Sequence, residues 1–137
     1  MIRLYISAPF ELQEDGQRVR KLLTSMGYGV TSTWLDEPPT NTMQNVLPDR
    51  LRVMGNRDKD DICRADGLVL INPEMFRRTG TGGRHYECGY AAALEMPISI
   101  LGVPTNVFHY DDSVKVVAPN LSLFAQSLDI YWNAHAR

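Results

Sequence analysis

The chain has 137 residues, of which 44% are hydrophobic and 22% charged, and this composition is typical of a soluble globular domain. Its 14 basic and 16 acidic side chains give a formal net charge of -2, which excludes a broad positive surface for a nucleic acid polymer. No stretch reaches the ~18 apolar residues of a membrane span, and the amino terminus lacks the layout of a signal peptide. We therefore expect one domain over residues 1–137, cytoplasmic, with neither nucleic acid nor membrane as a partner.

Strand-like and helix-like segments alternate along the chain. Short apolar segments predict five strands, at residues 2–7, 30–34, 67–72, 97–102 and 114–117. Amphipathic segments predict helices at residues 11–26, 49–65, 84–96 and 120–134. The third strand is the most continuous apolar run, as expected for a central strand covered on both faces. The pattern predicts an α/β fold with a doubly wound, five-stranded parallel sheet and helices on both faces.

In such sheets, ligands bind beyond the carboxyl ends of the strands, where the strand order reverses. Three predicted loops reach that edge: Ser7-Ala8-Pro9-Phe10, Trp34-Leu35-Asp36 and the glycine-rich TGTGGRHYE of residues 79–87. Glycines let backbone amides approach a ligand, and the helix after the third loop presents free N–H groups. The third loop is therefore the strongest candidate for a binding site.

Glu87 lies in the first two turns of the helix that follows this loop. The helix field is expected to hold its pKa at or below the ~4.3 of a free glutamate, unless burial outweighs the field. An ionised carboxylate beside a ligand-sized loop suits a nucleophile that attacks a sugar carbon. On spacing alone, the simpler interpretation is that Glu87 only complements the helix dipole.

An acidic run before the third strand supplies the other candidate acid. Asp58 shares a helical face with Ile62, so we expect Asp58 to point toward the sheet, whereas Asp60 and Asp61 are expected on the solvated face. A charge run on a helix is usually a wet surface, and no single carboxylate here is diagnostic.

The remaining polar residues predict neither a metal nor a cofactor. Cys63 and Cys88 lack CxxC spacing and are expected to be small core residues. The three histidines, His85, His109 and His135, lack HxxxH spacing or cysteine partners, so no metal site is expected. The glycine-rich loop matches neither a phosphate-binding P-loop nor the dinucleotide fingerprint.

Four segments together resemble the nucleoside 2-deoxyribosyltransferase superfamily, which includes the deoxynucleoside monophosphate N-glycosidases: RLYISAPF, GYGVTSTWL, DKDDICRADGLVLIN and GGRHYECGYAAALEMPISILG. The most specific part is the helix-opening glutamate followed by Gly-Tyr-Ala, after a glycine-rich loop. The resemblance implies a flavodoxin-like sheet in which Glu87 attacks the anomeric carbon. It also implies that Asp58 supports departure of the base or holds a sugar hydroxyl, and that Tyr5 lies near the sugar and orients Glu87 by a hydrogen bond.

The resemblance also implies substrate contacts, at Ser7, Phe10, Trp34, Thr81, Gly83, Arg84, Asn106 and His109. Trp34 or Phe10 could stack on the base, although packing under the loop is the simpler interpretation. Many transferases of the superfamily have an acidic residue at the position of Thr81, where the monophosphate hydrolases have a hydroxyl residue for the 5'-phosphate. Thr81 and Arg84 therefore favour a nucleotide. The glycine-rich phosphate loop of those hydrolases is missing after the first strand, so the substrate class stays open.

The segment around Asn106 and His109 corresponds to a region that often reaches into the site of a neighbouring subunit in the superfamily. Both residues could therefore act in a second subunit of a homo-oligomer. We expect an oligomer because Tyr131 and Trp132 of the last helix would otherwise expose apolar surface.

The leading hypothesis is an enzyme that cleaves the N-glycosidic bond of a nucleoside or nucleoside monophosphate, by transfer to another base or to water. The alternative is a non-catalytic nucleotide sensor, against which the presence of Glu87 argues. A response module is weaker still, because the first strand ends without a phosphorylatable aspartate.

Overall fold

The computed structural model describes residues 1–73 and 82–135. In these residues, parallel strands form one sheet in the order β2-β1-β3-β4-β5, with β1 at Arg3–Ser7, β2 at Gly29–Val30, β3 at Gly67–Asn72, β4 at Ile98–Gly102 and β5 at Val114–Ala118. The α-helices are α1 at Gln13–Ser25, α2 at Pro48–Cys63, α3 at Gly83–Ala93 and α4 at Leu121–His135. Short 3₁₀ turns occupy Phe10–Leu12, Thr33–Asp36 and Val107–Tyr110.

The strand order confirms the predicted doubly wound, flavodoxin-like sheet. The chain leaves β1 toward β2 and then crosses back to β3 on the other side of β1, so the order reverses between β1 and β3. Right-handed crossovers then place helices on both faces. Helices α2 and α3 pack against each other, while α4 packs against β4 and β5. The carboxyl ends of β1 and β3 therefore form the edge where a ligand is expected.

The core fills the space between the sheet and its helices. All six residues of β3 are buried, as its continuous apolar sequence predicts. The largest fully buried apolar side chains come from the inner strands and from the helices that cover them, and they include Leu4, Ile6, Leu68, Leu70, Ile100, Leu23, Ile62, Phe124 and Leu128. This packing fixes the strand ends that position the site.

The second strand is much shorter than the sequence predicts. Residues 30–34 alternate as a strand does, yet pairing with β1 stops after Val30. Beyond Val30, the side chain of Ser32 bonds to β1 in place of a strand backbone: its hydroxyl accepts a hydrogen bond from the Ile6 amide. Thr33 then bonds to Asp61 of α2, and the chain turns into the 3₁₀ turn Thr33–Asp36. Side-chain hydrogen bonds therefore end the strand and bring Trp34 to the edge of the sheet.

Three expectations about individual side chains are wrong. Asp61 is buried rather than solvated, because its carboxylate accepts from the amide and the hydroxyl of Thr33 and also pairs with Arg64. Cys63 is exposed rather than in the core, at the end of α2. Trp132 is buried against β3, so it gives no reason to expect an oligomer, and that expectation stays a prediction.

None of the helices described is long and apolar enough to cross a membrane.

Gly102, at the end of β4, has a φ of +132°. A Cβ there would lie 2.1 Å from the carbonyl oxygen of Asn72 in the paired strand. We therefore expect Gly102→Ala to lower the free energy of unfolding by about 3 kcal/mol or more in urea denaturation. Gly89→Ala is the matched control: no described atom lies within 4 Å of its Cβ position, so this change within α3 should stabilise by up to ~1 kcal/mol. Equal effects of the two substitutions would contradict the close approach at Gly102.

Candidate active site

A cavity of about 610 Å³ opens at the carboxyl edge of the sheet, beside the loop that follows β1. Its size lies within the ~300–1,000 Å³ that is usual for small-molecule sites. One wall is the loop after β1 with Trp34, a second is the start of α3, and a third is α2 with the loop of residues 41–44. The cavity therefore lies where the strand order predicts a ligand.

Glu87 stands on the inner wall of this cavity, in the second turn of α3. Its Oε1 accepts a hydrogen bond of 2.7 Å from the Ser7 hydroxyl, and its Oε2 accepts one from the Tyr5 hydroxyl. Tyr5 and Ser7 are fully buried in β1. The hydrogen bond expected between Tyr5 and Glu87 is thus present. Ser7 is not among the residues that line the cavity, and its hydroxyl donates to Glu87; a contact between Ser7 and a substrate stays a prediction.

Burial outweighs the helix field at Glu87. Desolvation raises the pKa of Glu87 to about 7, although the hydrogen bonds from Tyr5 and Ser7 lower it, and the charges of Asp58 and Asp61 raise it further. The low pKa is expected only if burial does not outweigh the helix field, and burial is the larger effect here. Near neutral pH this carboxyl is divided between its two forms, as suits a group that must gain and lose charge during a reaction.

Asp58 lines the same cavity from α2 and is half-buried, as its shared face with Ile62 predicts. The Arg57 guanidinium donates to its Oδ1 at 3.2 Å. Burial raises the pKa of Asp58, Arg57 lowers it, and the charges of Asp61 and Glu37 raise it. The structure therefore brings Asp58 and Glu87, which lie 29 positions apart in the sequence, to two walls of one cavity.

Two aromatic rings line the cavity beside these acids. Trp34 is buried, and its Nε1 donates to the Ile6 carbonyl at 2.7 Å, which fixes the plane of the indole. Phe10 is half-buried, with its ring centroid 6.2 Å from that of Trp34. Both rings line the cavity, so packing under the loop and stacking on a ligand are compatible at these positions.

The start of α3 closes the cavity next to Glu87. Gly82, at the N-cap, has a φ of +94°, a conformation that favours glycine and that turns the chain into the helix. Gly83 and Arg84 follow and line the cavity. Thr81, the expected phosphate or base contact, lies outside the described residues.

Asn106 and His109 are not on this cavity. They lie together on the 3₁₀ turn Val107–Tyr110 and its N-cap, where the Thr105 amide donates to Nδ1 of the buried His109 ring. The His109 ring stands 5.7 Å from that of His85, which precedes Glu87. Phe108 on the same turn is 78% exposed. A role for this turn in the site of a second subunit stays a prediction.

Sequence reasoning missed an ion-pair network behind Asp58. Glu37, in a segment that reads only as a turn, is buried and bonds to Arg57 at 2.6 Å. Arg57 in turn bonds to Asp58. Glu37 and Arg57 are 20 positions apart and follow no motif, so the sequence alone carries no signal for this pair.

Among residues 1–73 and 82–135, no group of three or more His, Cys, Asp or Glu side chains is arranged to hold a metal ion.

No protein-family profile matches the sequence, and no curated protein is significantly similar to it. Solved structures do share its fold. A CMP N-glycosidase from Clostridium botulinum matches with a TM-score of 0.61 and 21% identity, over 94% of this chain and 99% of that one. A 2-deoxyribosyltransferase from Bacillus psychrosaccharolyticus matches with a TM-score of 0.65 and 21% identity, over 86% of each chain. A 2-desoxiribosyltransferase from Leishmania mexicana matches with a TM-score of 0.65 and 17% identity, over 100% of both chains.

These likenesses establish the fold. The chain has the fold of the nucleoside 2-deoxyribosyltransferases and of a CMP N-glycosidase, which confirms at that level the resemblance found in the sequence.

Tyr5→Phe removes one of the two hydroxyl groups that donate to the Glu87 carboxylate. Because a bond to the charged form lowers a pKa, we expect the pKa of Glu87 to rise, measured by NMR titration of the ¹³C-labelled carboxyl. Tyr28→Phe is the matched control, since the Tyr28 hydroxyl donates at 2.6 Å to Asp129, far from the cavity. A Glu87 titration that moves equally in both variants, or in neither, would contradict the hydrogen bond.

Glu87 is also expected to make stability depend on pH. Its folded pKa of about 7 lies above the ordinary value of 4.5, so the proton stabilises the folded state at low pH. That contribution is lost as pH rises through about 7. Glu87→Gln should therefore stabilise the protein relative to wild type by about 3 kcal/mol more at pH 8 than at pH 4, measured by urea denaturation. A difference that does not change with pH would show that Glu87 is not buried as described.

Proposed function

We propose that the protein cleaves the N-glycosidic bond of a nucleoside or nucleoside monophosphate through a covalent glycosyl-Glu87 intermediate, which a second base or water resolves. One observation carries this proposal. The Glu87 carboxylate stands on the wall of a ligand-sized cavity, and two buried hydroxyl groups of β1 hold it from behind. The activities named for the solved structures of the same fold, N-glycosidase and deoxyribosyltransferase, support it.

The first step is a displacement at the anomeric carbon. A Glu87 oxygen forms a bond to that carbon while the bond to the base nitrogen breaks, and the electron pair of the breaking bond leaves with the base. Asp58 donates a proton to the departing base as the negative charge develops there. Tyr5 and Ser7 keep the carboxylate oriented while its charge is consumed.

The second step reverses the first with a new acceptor. Water or another base attacks the anomeric carbon, the glycosyl ester bond breaks, and its electrons return to Glu87. Asp58 takes the proton that the acceptor loses, which restores both carboxyl groups. Two displacements retain the configuration of the sugar.

The two carboxyl groups hold one proton between them in the reactive form. Each charge disfavours the ionisation of a like-charged neighbour, and Asp58 raises the pKa of Glu87 in this way. The reactive form has the proton on Asp58 and the charge on Glu87. The pair titrates as a unit, so activity is lost when both groups are protonated and when both are ionised.

The remaining cavity residues suit the other parts of the substrate. Trp34 and Phe10 offer ring surfaces to a base, and Gly83 and Arg84 stand beside Glu87 where the sugar or a 5'-phosphate would lie. Thr81 belongs to the same proposed group by its position in the sequence. Asn106 and His109 are proposed to act in the site of a neighbouring copy of the chain.

The proposal is tested by incubating the protein with nucleosides and their monophosphates, with and without a free acceptor base, and following base release by chromatography. We expect release or exchange with wild type and a loss of at least ~1,000-fold with Glu87→Gln. Acid quench and mass spectrometry should find a pentosyl adduct on the peptide that contains Glu87. Glu95→Gln, an exposed change just after α3, is the control and should keep full activity. Ligand binding without any turnover would favour the sensor instead.

The pH dependence of the rate tests the shared proton. For wild type we expect a bell-shaped profile whose alkaline limb lies at about 7, the pKa of Glu87. Asp58→Asn should lower the rate by ~100-fold or more and remove the alkaline limb, because the amide does not titrate. Its single acid limb should lie below pH 7, because Glu87 loses a like-charged neighbour. If Asp58→Asn has nearly the wild-type rate and an unchanged bell-shaped profile, Asp58 has no role in proton transfer and is only part of a solvated helix face.

A further inference from the structure

Glu37 is a buried acid with no place on the cavity wall. Its side chain is 6% exposed, and it lies directly after the 3₁₀ turn that carries Trp34. Its carboxylate accepts from Arg57 at 2.6 Å, from Arg50 at 3.3 Å and from the Asn41 amide. A buried carboxylate is costly unless it is paired in this way, so a purely structural role would be filled as well by an apolar side chain.

Arg57 is divided between two acids. Its NH1 group bonds to the buried Glu37, and its NH2 group bonds at 3.2 Å to Asp58. The bond to Glu37 is the shorter one, at 2.6 Å. The guanidinium therefore lies across Glu37 and meets Asp58 through a single, longer bond to Oδ1.

We infer that Glu37 is a positioning residue that holds Arg57 away from a full ion pair with Asp58, so that Asp58 can carry the proton that the departing base receives. Without Glu37, both NH groups of Arg57 are free to bind the Asp58 carboxylate as a fork. An Asp58 carboxylate neutralised in that way is a poor proton donor. The kinetic part of this inference rests on the proposed function, whereas the effect on Asp58 itself does not.

The charges that face Asp58 come from four elements. Helix α2 supplies Arg57 and Asp61, and the end of the 3₁₀ turn supplies Glu37. Glu87 of α3 and Tyr5 of β1 feel the charge of Asp58 from the other side of the site. Lys59 lines the same cavity. Arg57 donates a hydrogen bond to Asp58 and is the charged group with the largest effect on the pKa of Asp58 after burial.

The first experiment measures Asp58 directly and needs no turnover. In Glu37→Gln, which keeps the shape of the side chain and removes its charge, the ¹³C titration of the Asp58 carboxyl should move to lower pH than in wild type. Asp36→Asn is the matched control, because this neighbouring acid is exposed and pairs with Arg20 at 2.9 Å instead. An unmoved Asp58 titration in Glu37→Gln overturns the inference.

The second experiment measures the rate against pH with the substrate found in the base-release assay. Glu37→Gln should lower kcat by roughly tenfold, because the shared proton moves from Asp58 to Glu87 more of the time. The acid limb of the profile should move to lower pH, while the alkaline limb and KM stay as in wild type. Glu37→Asp, which keeps the charge, should recover most of the rate. A merely structural loss would change stability or KM and leave both limbs in place, which would overturn the inference.

A double variant covers the case in which Glu37→Gln fails to fold. Glu37→Gln with Arg57→Gln leaves a neutral pair that can still hydrogen-bond, and it removes the cation from Asp58. Its Asp58 titration should then move to higher pH than in wild type, because burial is no longer opposed by Arg57. A shift to lower pH would overturn the inference. If Asp58 titrates as expected but no substrate is cleaved by wild type, the proposed function fails and the coupling of Glu37 to Asp58 stands.

Discussion

Two buried hydroxyl groups of β1 donate hydrogen bonds to one carboxylate of α3. These bonds connect the first strand of the sheet to the helix that follows the third strand. Tyr5 and Ser7 are both fully buried, so the position of Glu87 is set by the core and not by a surface loop. Because β1 and β3 are neighbours at the point where the strand order reverses, this contact lies at the edge where a ligand enters. The cavity, the second acid and the two aromatic rings are all arranged around it.

The site buries several carboxyl groups close together, which costs free energy. The surrounding hydrogen bonds and cations offset this cost more at some of these groups than at others. Burial raises the pKa values of Asp58 and Glu87, and the charge of Asp61 raises both further. Asp61 is offset by Thr33 and Arg64, and Asp58 by one bond from Arg57. Among residues 1–73 and 82–135, the donors to Glu87 are the neutral hydroxyl groups of Tyr5 and Ser7. A buried carboxyl whose pKa is raised in this way is a common feature of functional sites.

Much of the fold could be predicted from the sequence, because its strongest signals are local. The apolar run of β3 and the amphipathic helices follow directly from periodicity, and their alternation along the chain indicates a doubly wound parallel sheet. The short β2 could not be predicted, because the pairing ends through a bond between Ser32 and Ile6, which are 26 positions apart. In the same way Asp61 is buried because Thr33, 28 positions away, folds onto it. Contacts between residues so far apart in the sequence cannot be predicted from the local pattern of apolar and polar residues.

For the site, the sequence indicated which residues lie close together. It did not indicate how burial and neighbouring charges change their pKa values. Glu87, Asp58 and Tyr5 were predicted from a resemblance to known motifs. The structure places Glu87 and Asp58 on one cavity, with the buried Tyr5 hydrogen-bonded to Glu87. The elevated pKa of Glu87 depends on how much protein covers it, which no spacing encodes. The Glu37–Arg57 pair could not be predicted from the sequence, because its members lie on different elements and match no motif.

The two tryptophans of the chain differ in their relation to the cavity. Trp34 lines the cavity, whereas Trp132 is buried in α4, where its ring packs closely over Gly67 of β3. A molecule that enters the cavity changes the surroundings of one indole and leaves those of the other untouched. The intrinsic fluorescence of the protein thus contains both a reporter of occupancy and an internal reference, without any added label.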